Sequence, residues 1–198
     1  MRLQPIEKPT GVMMRLAFWM TRRQFGKVMS PMKVLYPRLP GLMKPFWAVQ
    51  KFEMKGLGLP HELHLLITTL ASSINGCGFC LDLSRAMAMR EHVPMEKLDA
   101  LPDYRTSPLF SDRERAALTY AEEATRHKHV GDATFETLRR HFSEREIVEI
   151  TWVNAVENLY NLINRPLGIE SDGFCALVQG RPQARGDGGP VVRPAHAA

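Results

Sequence analysis

The chain has 198 residues, of which 44% are hydrophobic and 24% charged, and it carries a net charge of +5 at neutral pH. That length and balance suit one folded domain with an extension and exclude a wholly disordered chain. No run of about 18 apolar residues occurs, so no membrane-spanning helix is expected. Arg15, Arg22 and Arg23 interrupt the stretch "GVMMRLAFWMTRRQF", which argues against a cleaved secretion signal.

The charge is unevenly spread. Residues 1–58 hold 11 Lys and Arg against 2 Asp and Glu, whereas residues 59–180 hold 12 against 18. The expected consequence is that a basic extension docks on its own acidic body or on a neighbouring subunit. Membrane contact by the extension is the less favoured alternative. No helix-turn-helix, zinc-finger or RNP-like pattern accompanies the charge, so nucleic acid is not an expected partner.

Residues 1–58 form a Met- and aromatic-rich extension with eight of the 11 Met. Helices are expected over residues 12–28 and 42–55, separated by a stretch at 30–40 whose three prolines forbid a regular helix. Trp19, Phe25, Phe46, Trp47 and Phe52 need burial, which suggests an arm wrapped over a neighbouring subunit.

Residues 59–180 are expected to form a helical domain. Leu63, Leu66, Ile67, Leu70, Ala71 and Ile74 recur at i, i+3, i+4 and i+7, the signature of an amphipathic helix that starts after Pro60. Asn75-Gly76 breaks it, and a second helix begins near Cys77, carrying Phe79, Leu83, Ala86 and Met87 inward until His92-Val93-Pro94 ends it. A short helix follows Pro94. Ser111-Asp112-Arg113-Glu114 and Ser143-Glu144-Arg145-Glu146 are capping-box patterns, and Gly131-Asp132 offers a start between them, which predicts three further helices. In the last, over residues 144–164, Val148, Trp152, Ala155, Leu159 and Leu162 form the expected apolar face, beside a polar stripe of Asn154, Asn158, Asn161 and Arg165. No segment alternates as a strand does, so the fold class is all-α. Residues 181–198, rich in Gly, Pro and Ala, read as a disordered tail.

The chemistry-bearing motif is Cys77-Gly78-Phe79-Cys80. It sits where a helix begins, and there the unpaired N–H groups and the helix dipole favour a thiolate. The spacing also lets the two thiols close a disulfide across one turn. A zinc site would need two more ligands, which Cys175 and the scattered histidines do not provide at suitable spacing. Two small buried residues without chemistry are the remaining alternative. Asp82 is expected to be solvated at the helix start, and Cys175 to be a bystander thiol.

"LITTLASSINGCGFCLDLSRAMA", "FSDRERAAL" and "NLYNLINRPLG" resemble the carboxymuconolactone decarboxylase family, in its alkylhydroperoxidase D-like branch, over about residues 59–170. The resemblance implies an all-helical bundle that assembles as a homo-oligomer, often a trimer or hexamer. It implies that Cys80 attacks a peroxide and that Cys77 resolves the product as a disulfide, with no metal or organic cofactor and with an external dithiol, unidentified by the sequence, as reductant. The family's motif has His four residues after the second cysteine and Glu twelve before the first; here Ser84 and Leu65 stand there. Neither is a proton acceptor near neutral pH, so Ser84 and His61 are only auxiliary candidates and slow reduction of peroxides or small disulfides in the cytoplasm is the expected activity. A non-catalytic oligomeric scaffold is the alternative.

Overall fold

A computed structural model describes residues 1–180; the expected tail at 181–198 lies outside the described residues. Ten α-helices follow one another: α1 (Val12–Phe25), α2 (Ser30–Val34), α3 (Met43–Gly56), α4 (His61–Asn75), α5 (Gly78–Arg90), α6 (Met95–Asp99), α7 (Asp112–His127), α8 (Asp132–Arg139), α9 (Glu144–Asn164) and α10 (Phe174–Val178). The described residues contain no strand, and the class is all-α. None of their helices is long and apolar enough to cross a membrane.

The core forms around α4, which packs against α5, α7 and α9. Its apolar residues recur often enough to bury most of its circumference, and Leu66, Ile67, Leu118, Leu138, Ile150 and Val153 are fully enclosed. Both capping boxes form. Ser111 and Ser143 each accept from the backbone N–H of the glutamate three residues on, and that glutamate returns a bond to the cap.

Between α4 and α5 the chain turns within two residues. Gly76 takes φ +64°, a left-handed conformation that costs glycine nothing. Its N–H and that of Cys77 both return to the last turn of α4, Cys77 N–H meeting Ser72 O at 2.9 Å. This corner leaves Cys77 as the N-cap of α5, with Cys80 in its first turn.

Residues 1–58 lie against the body mainly through rings. Phe25 meets Phe174 edge-on at 6.0 Å, Phe46 stacks on Tyr160 at 5.5 Å, and Phe52 meets Trp152 at 5.4 Å. A polar latch adds to this: the Asp172 carboxylate accepts from Ser30 N–H at 2.7 Å and Ser30 Oγ at 2.8 Å, and pairs with Lys27. Docking of the basic segment on the acidic body thus uses the Lys27–Asp172 ion pair and several aromatic contacts.

Three local expectations, on the proline-rich stretch, Asp82 and the inward face of α9, are corrected. The proline-rich stretch does hold one short helix, α2, because Pro31 sits in its first turn, where proline lacks no needed donor. Within one chain Trp19, Trp47 and Phe52 of the extension remain exposed, as residues that await a neighbouring subunit would be. Asp82 is buried, not solvated, and its carboxylate caps α10, accepting from Phe174 N–H at 2.8 Å, Cys175 N–H at 2.9 Å and Ser171 Oγ at 2.9 Å. The face of α9 that turns inward is not Val148, Trp152, Leu159 and Leu162, which are exposed, but Ile147, Ile150, Val153 and Val156 with Asn154, Glu157, Asn161 and Asn164. The helix carries two apolar stripes. The polar groups beside the second find their partners only inside the molecule, so that stripe is the one enclosed.

Candidate active site

Cys77 and Cys80 are both reduced and buried in a small cluster with Phe79, Ala86, Ile169 and Phe174. Cys77 is 0% exposed and Cys80 6%, so only Cys80 reaches the surface at all. The two thiols hydrogen-bond with each other. The bond from Cys80 holds the Cys77 thiol below the ordinary thiol range, against the opposing effect of burial. The same bond pushes Cys80 the other way, and burial and the nearby Glu157 carboxylate push it further up. The pair thus loses its first proton from Cys77 and keeps the other on Cys80.

Helix α9 supplies the rest of the site. Glu157, Asn161 and Asn164 fall at i, i+4 and i+7 and share one face. Asn164 Nδ2 donates to Cys80 Sγ at 3.4 Å. Glu157 is buried. It accepts from Ser72 Oγ at 2.5 Å and from Asn161 Nδ2 at 2.7 Å, and it hydrogen-bonds with Cys80. Burial raises its carboxyl pKa above the ordinary range, and those three bonds offset part of the rise. Asn161 is held by Asn75 Nδ2 at 2.8 Å, which extends the network to the last turn of α4. Asn154 and Asn158 bond to Thr125 instead, fastening α9 to α7.

The sequence candidates fall into two groups. Cys77, Cys80 and Ser84 lie together on α5, with Ser84 buried one turn beyond Cys80. His61 stands at the far end of α4, about 20 Å of helix away, exposed, paired with Glu91 and stacked on His64. The structure does not bring it to the cysteines. Leu65 belongs to the main core. The carboxyl that lies beside the pair is Glu157, which was not among the sequence candidates. That residue was hidden because it lies 77 positions after Cys80 and follows the rule of α9's inner face, not a local motif. Its signal was an isolated acid within the Asn-rich stripe of a long apolar helix. Cys175 donates to Asp82 O at 3.2 Å, and its thiol is raised to about 12 by burial and by Asp82. Among the described residues no cluster of His, Cys, Asp and Glu is arranged to hold a metal.

Comparison with known proteins bears on this arrangement. The sequence profile of the carboxymuconolactone decarboxylase family matches residues 40–123. The chain is 32% identical to the uncharacterized protein YnjA of Escherichia coli K12, over 91% of this chain and 100% of that one. Its structure resembles that of ATU0492 from Agrobacterium tumefaciens, described as an antioxidant defence protein of AhpD type, at 30% identity with a TM-score of 0.65, over 69% of this chain and 94% of that one. It also resembles an uncharacterized peroxidase-related protein from Silicibacter sp. TM1040, at 25% identity with a TM-score of 0.77, over 91% and 94% of the two chains. In sequence and in helical architecture alike, this chain belongs to the carboxymuconolactone decarboxylase family, in its AhpD-like branch.

Proposed function

We propose that the protein is a thiol-dependent oxidoreductase that reduces peroxides or small disulfides through Cys77 and Cys80. The observation that carries this reading is the contact between two free thiols at the start of α5, one at the N-cap position and the other bonded by Asn164. Cys80 is the attacking residue, because it alone has an exposed fraction through which a substrate can approach. Its thiolate forms an S–O bond as the peroxide O–O bond breaks. The alcohol leaves with a proton, and Cys80 becomes a sulfenic acid. Cys77, the more acidic thiol, then attacks the Cys80 sulfur; an S–S bond forms, the S–O bond breaks and water leaves. A soluble dithiol returns the pair to the reduced form, and such a cycle suits the cytoplasm, where thiols are kept reduced.

The test is a free-thiol count before and after one equivalent of hydrogen peroxide. Loss of two thiols per chain, abolished by Cys77→Ser and by Cys80→Ser, is the expected result. Thiols that survive the peroxide unchanged would replace the redox reading with that of a scaffold.

The assembly is proposed to be a homo-oligomer, a trimer or hexamer. Its support is the apolar surface one chain leaves uncovered: Val148, Trp152, Leu159 and Leu162 along α9, Trp47 and Phe52 on α3, and Val12, Met13, Leu16 and Trp19 on α1. Large exposed apolar side chains of this kind mark interaction surfaces. A second copy of the chain covers the α9 stripe at no cost in buried charge, because that stripe carries none.

A further inference from the structure

Residues 1–58 contain only two carboxylates, Glu7 and Glu53. Glu7 pairs with Lys33 within the extension. Glu53 has a different setting. Helix α3 runs antiparallel to α9: Phe46 and Gln50 meet Tyr160, Phe52 meets Trp152, and beyond the helix end Gly58 N–H bonds to Glu149 at 2.9 Å. Three residues after Gln50 on α3 therefore lies opposite three residues before Tyr160 on α9. Those positions are Glu53 and Glu157. Glu53 is half-buried, and Glu157 is fully enclosed against the cysteines.

We propose that Glu157 is the proton acceptor for Cys80 and that Glu53, delivered by the N-terminal extension, shares that proton with it until the leaving oxygen takes it. The proposal rests on the thiol redox reading above and gives residues 1–58 a chemical part in it. Glu157 touches the reacting sulfur, is held by Ser72 and Asn161, and replaces the acceptors absent at positions 65 and 84. The groups that face it are Ser72 of α4, Cys77 and Cys80 of α5, Asn161 and Tyr160 of α9, and Glu53 of α3. No cation is among them. Two carboxyls facing one another without a cation hold a proton between them more readily than two anions. Burial and the Glu157 charge accordingly raise Glu53 to about 7.

The step balances simply. The Cys80 S–H proton passes to Glu157, and the thiolate attacks the peroxide. As the O–O bond breaks, Glu157 returns that proton to the leaving oxygen. The second proton, that of the Cys77 thiol, protonates the departing hydroxide as the disulfide closes, so that water leaves and no net proton is released.

The experiment compares full-length wild type, Glu157→Gln and Glu53→Gln. For each, site-resolved mass spectrometry follows Cys80 from pH 5 to 9 in its reaction with iodoacetamide and with hydrogen peroxide. Alkylation reports ionisation alone; oxidation also needs the proton relay. Glutamine keeps the shape and the Ser72 and Asn161 bonds, and Glu53, being half-buried, provides a variant that folds in any case.

In Glu157→Gln the alkylation midpoint is expected to fall, because a negative neighbour is removed, while oxidation at pH 7 slows at least tenfold. In Glu53→Gln the oxidation rate is expected to lose its rise across pH 7. Oxidation that speeds up together with alkylation in Glu157→Gln, or an unchanged profile in Glu53→Gln, would overturn the relay. If wild-type Cys80 alkylates but is never oxidised, the redox reading fails by itself. The carboxyl pair then stands only if both variants still move the alkylation midpoint.

Discussion

Asn164 donates from Nδ2 to Cys80 Sγ at 3.4 Å, across the contact between the last turn of α9 and the first turn of α5. A neutral amide that donates to sulfur stabilises a thiolate there more than a thiol, and the bond lowers both cysteines of the pair. It is the one side-chain donor aimed at a residue whose other neighbours, burial and the Glu157 charge, keep it protonated. Replacement by leucine, similar in size but without the donor, is expected to raise the Cys80 thiol and to slow its alkylation at pH 8 roughly tenfold, the order expected for one hydrogen bond to a charged group. Site-resolved alkylation measures it.

The corner that places Cys77 depends on Gly76. Its φ of +64° strains any side chain, and a Cβ there would lie 3.5 Å from the Arg165 guanidinium. Gly76→Ala is expected to cost about 1 kcal/mol or more and to slow peroxide-driven disulfide formation by displacing the N-cap thiol. Chemical denaturation and the thiol count check the two parts separately.

His64 provides an acid-sensitive point away from the site. Burial and the neighbouring His61 lower its imidazole to about 4. In the unfolded chain it binds a proton near pH 6.5, so between about 6.5 and 4 the unfolded state binds more protons than the folded one. Its contribution to stability is therefore present above pH 6.5 and is lost as the pH falls toward 4. His64→Gln is expected to show a smaller drop in melting temperature between pH 7 and pH 4.5 than wild type.

Glu53 has the opposite sign. Its folded carboxyl is raised to about 7, so between about pH 4.5 and 7 the folded state binds more protons and stability declines as the pH rises. Glu53→Gln is expected to raise the melting temperature at pH 8 and to change it less at pH 5. An equal shift at both pH values would show that packing, not charge, is what the substitution alters.

The exposed stripe of α9 makes a simple test of assembly. Leu159→Glu with Leu162→Glu places two charges on the exposed α9 stripe, away from the Phe52–Trp152 ring contact, so the fold is expected to persist while the oligomer dissociates. Light scattering gives the mass, and circular dichroism the helix content.

How much of this was readable in the residues alone follows from the range of each interaction. Helix boundaries near Ser111 and Ser143, the break at Asn75-Gly76 and the placement of Cys77 and Cys80 at a helix start all arise within a few residues, from capping, left-handed glycine and helix dipole, and the sequence by itself determined them. Which of α9's two apolar stripes turns inward was not determined locally, because both have helical periodicity. The choice came from Asn154, Glu157, Asn161 and Asn164 finding partners in Thr125, Ser72, Asn75 and the cysteines, on three other helices. The same holds for Asp82, which looked like a solvated helix-start acid until α10 placed two backbone N–H groups on it. Only tertiary structure decides which polar groups share a dry space, since there an unpartnered one costs more than any local preference supplies. That rule brought Glu157, and not residue 65, 84 or His61, to Cys80.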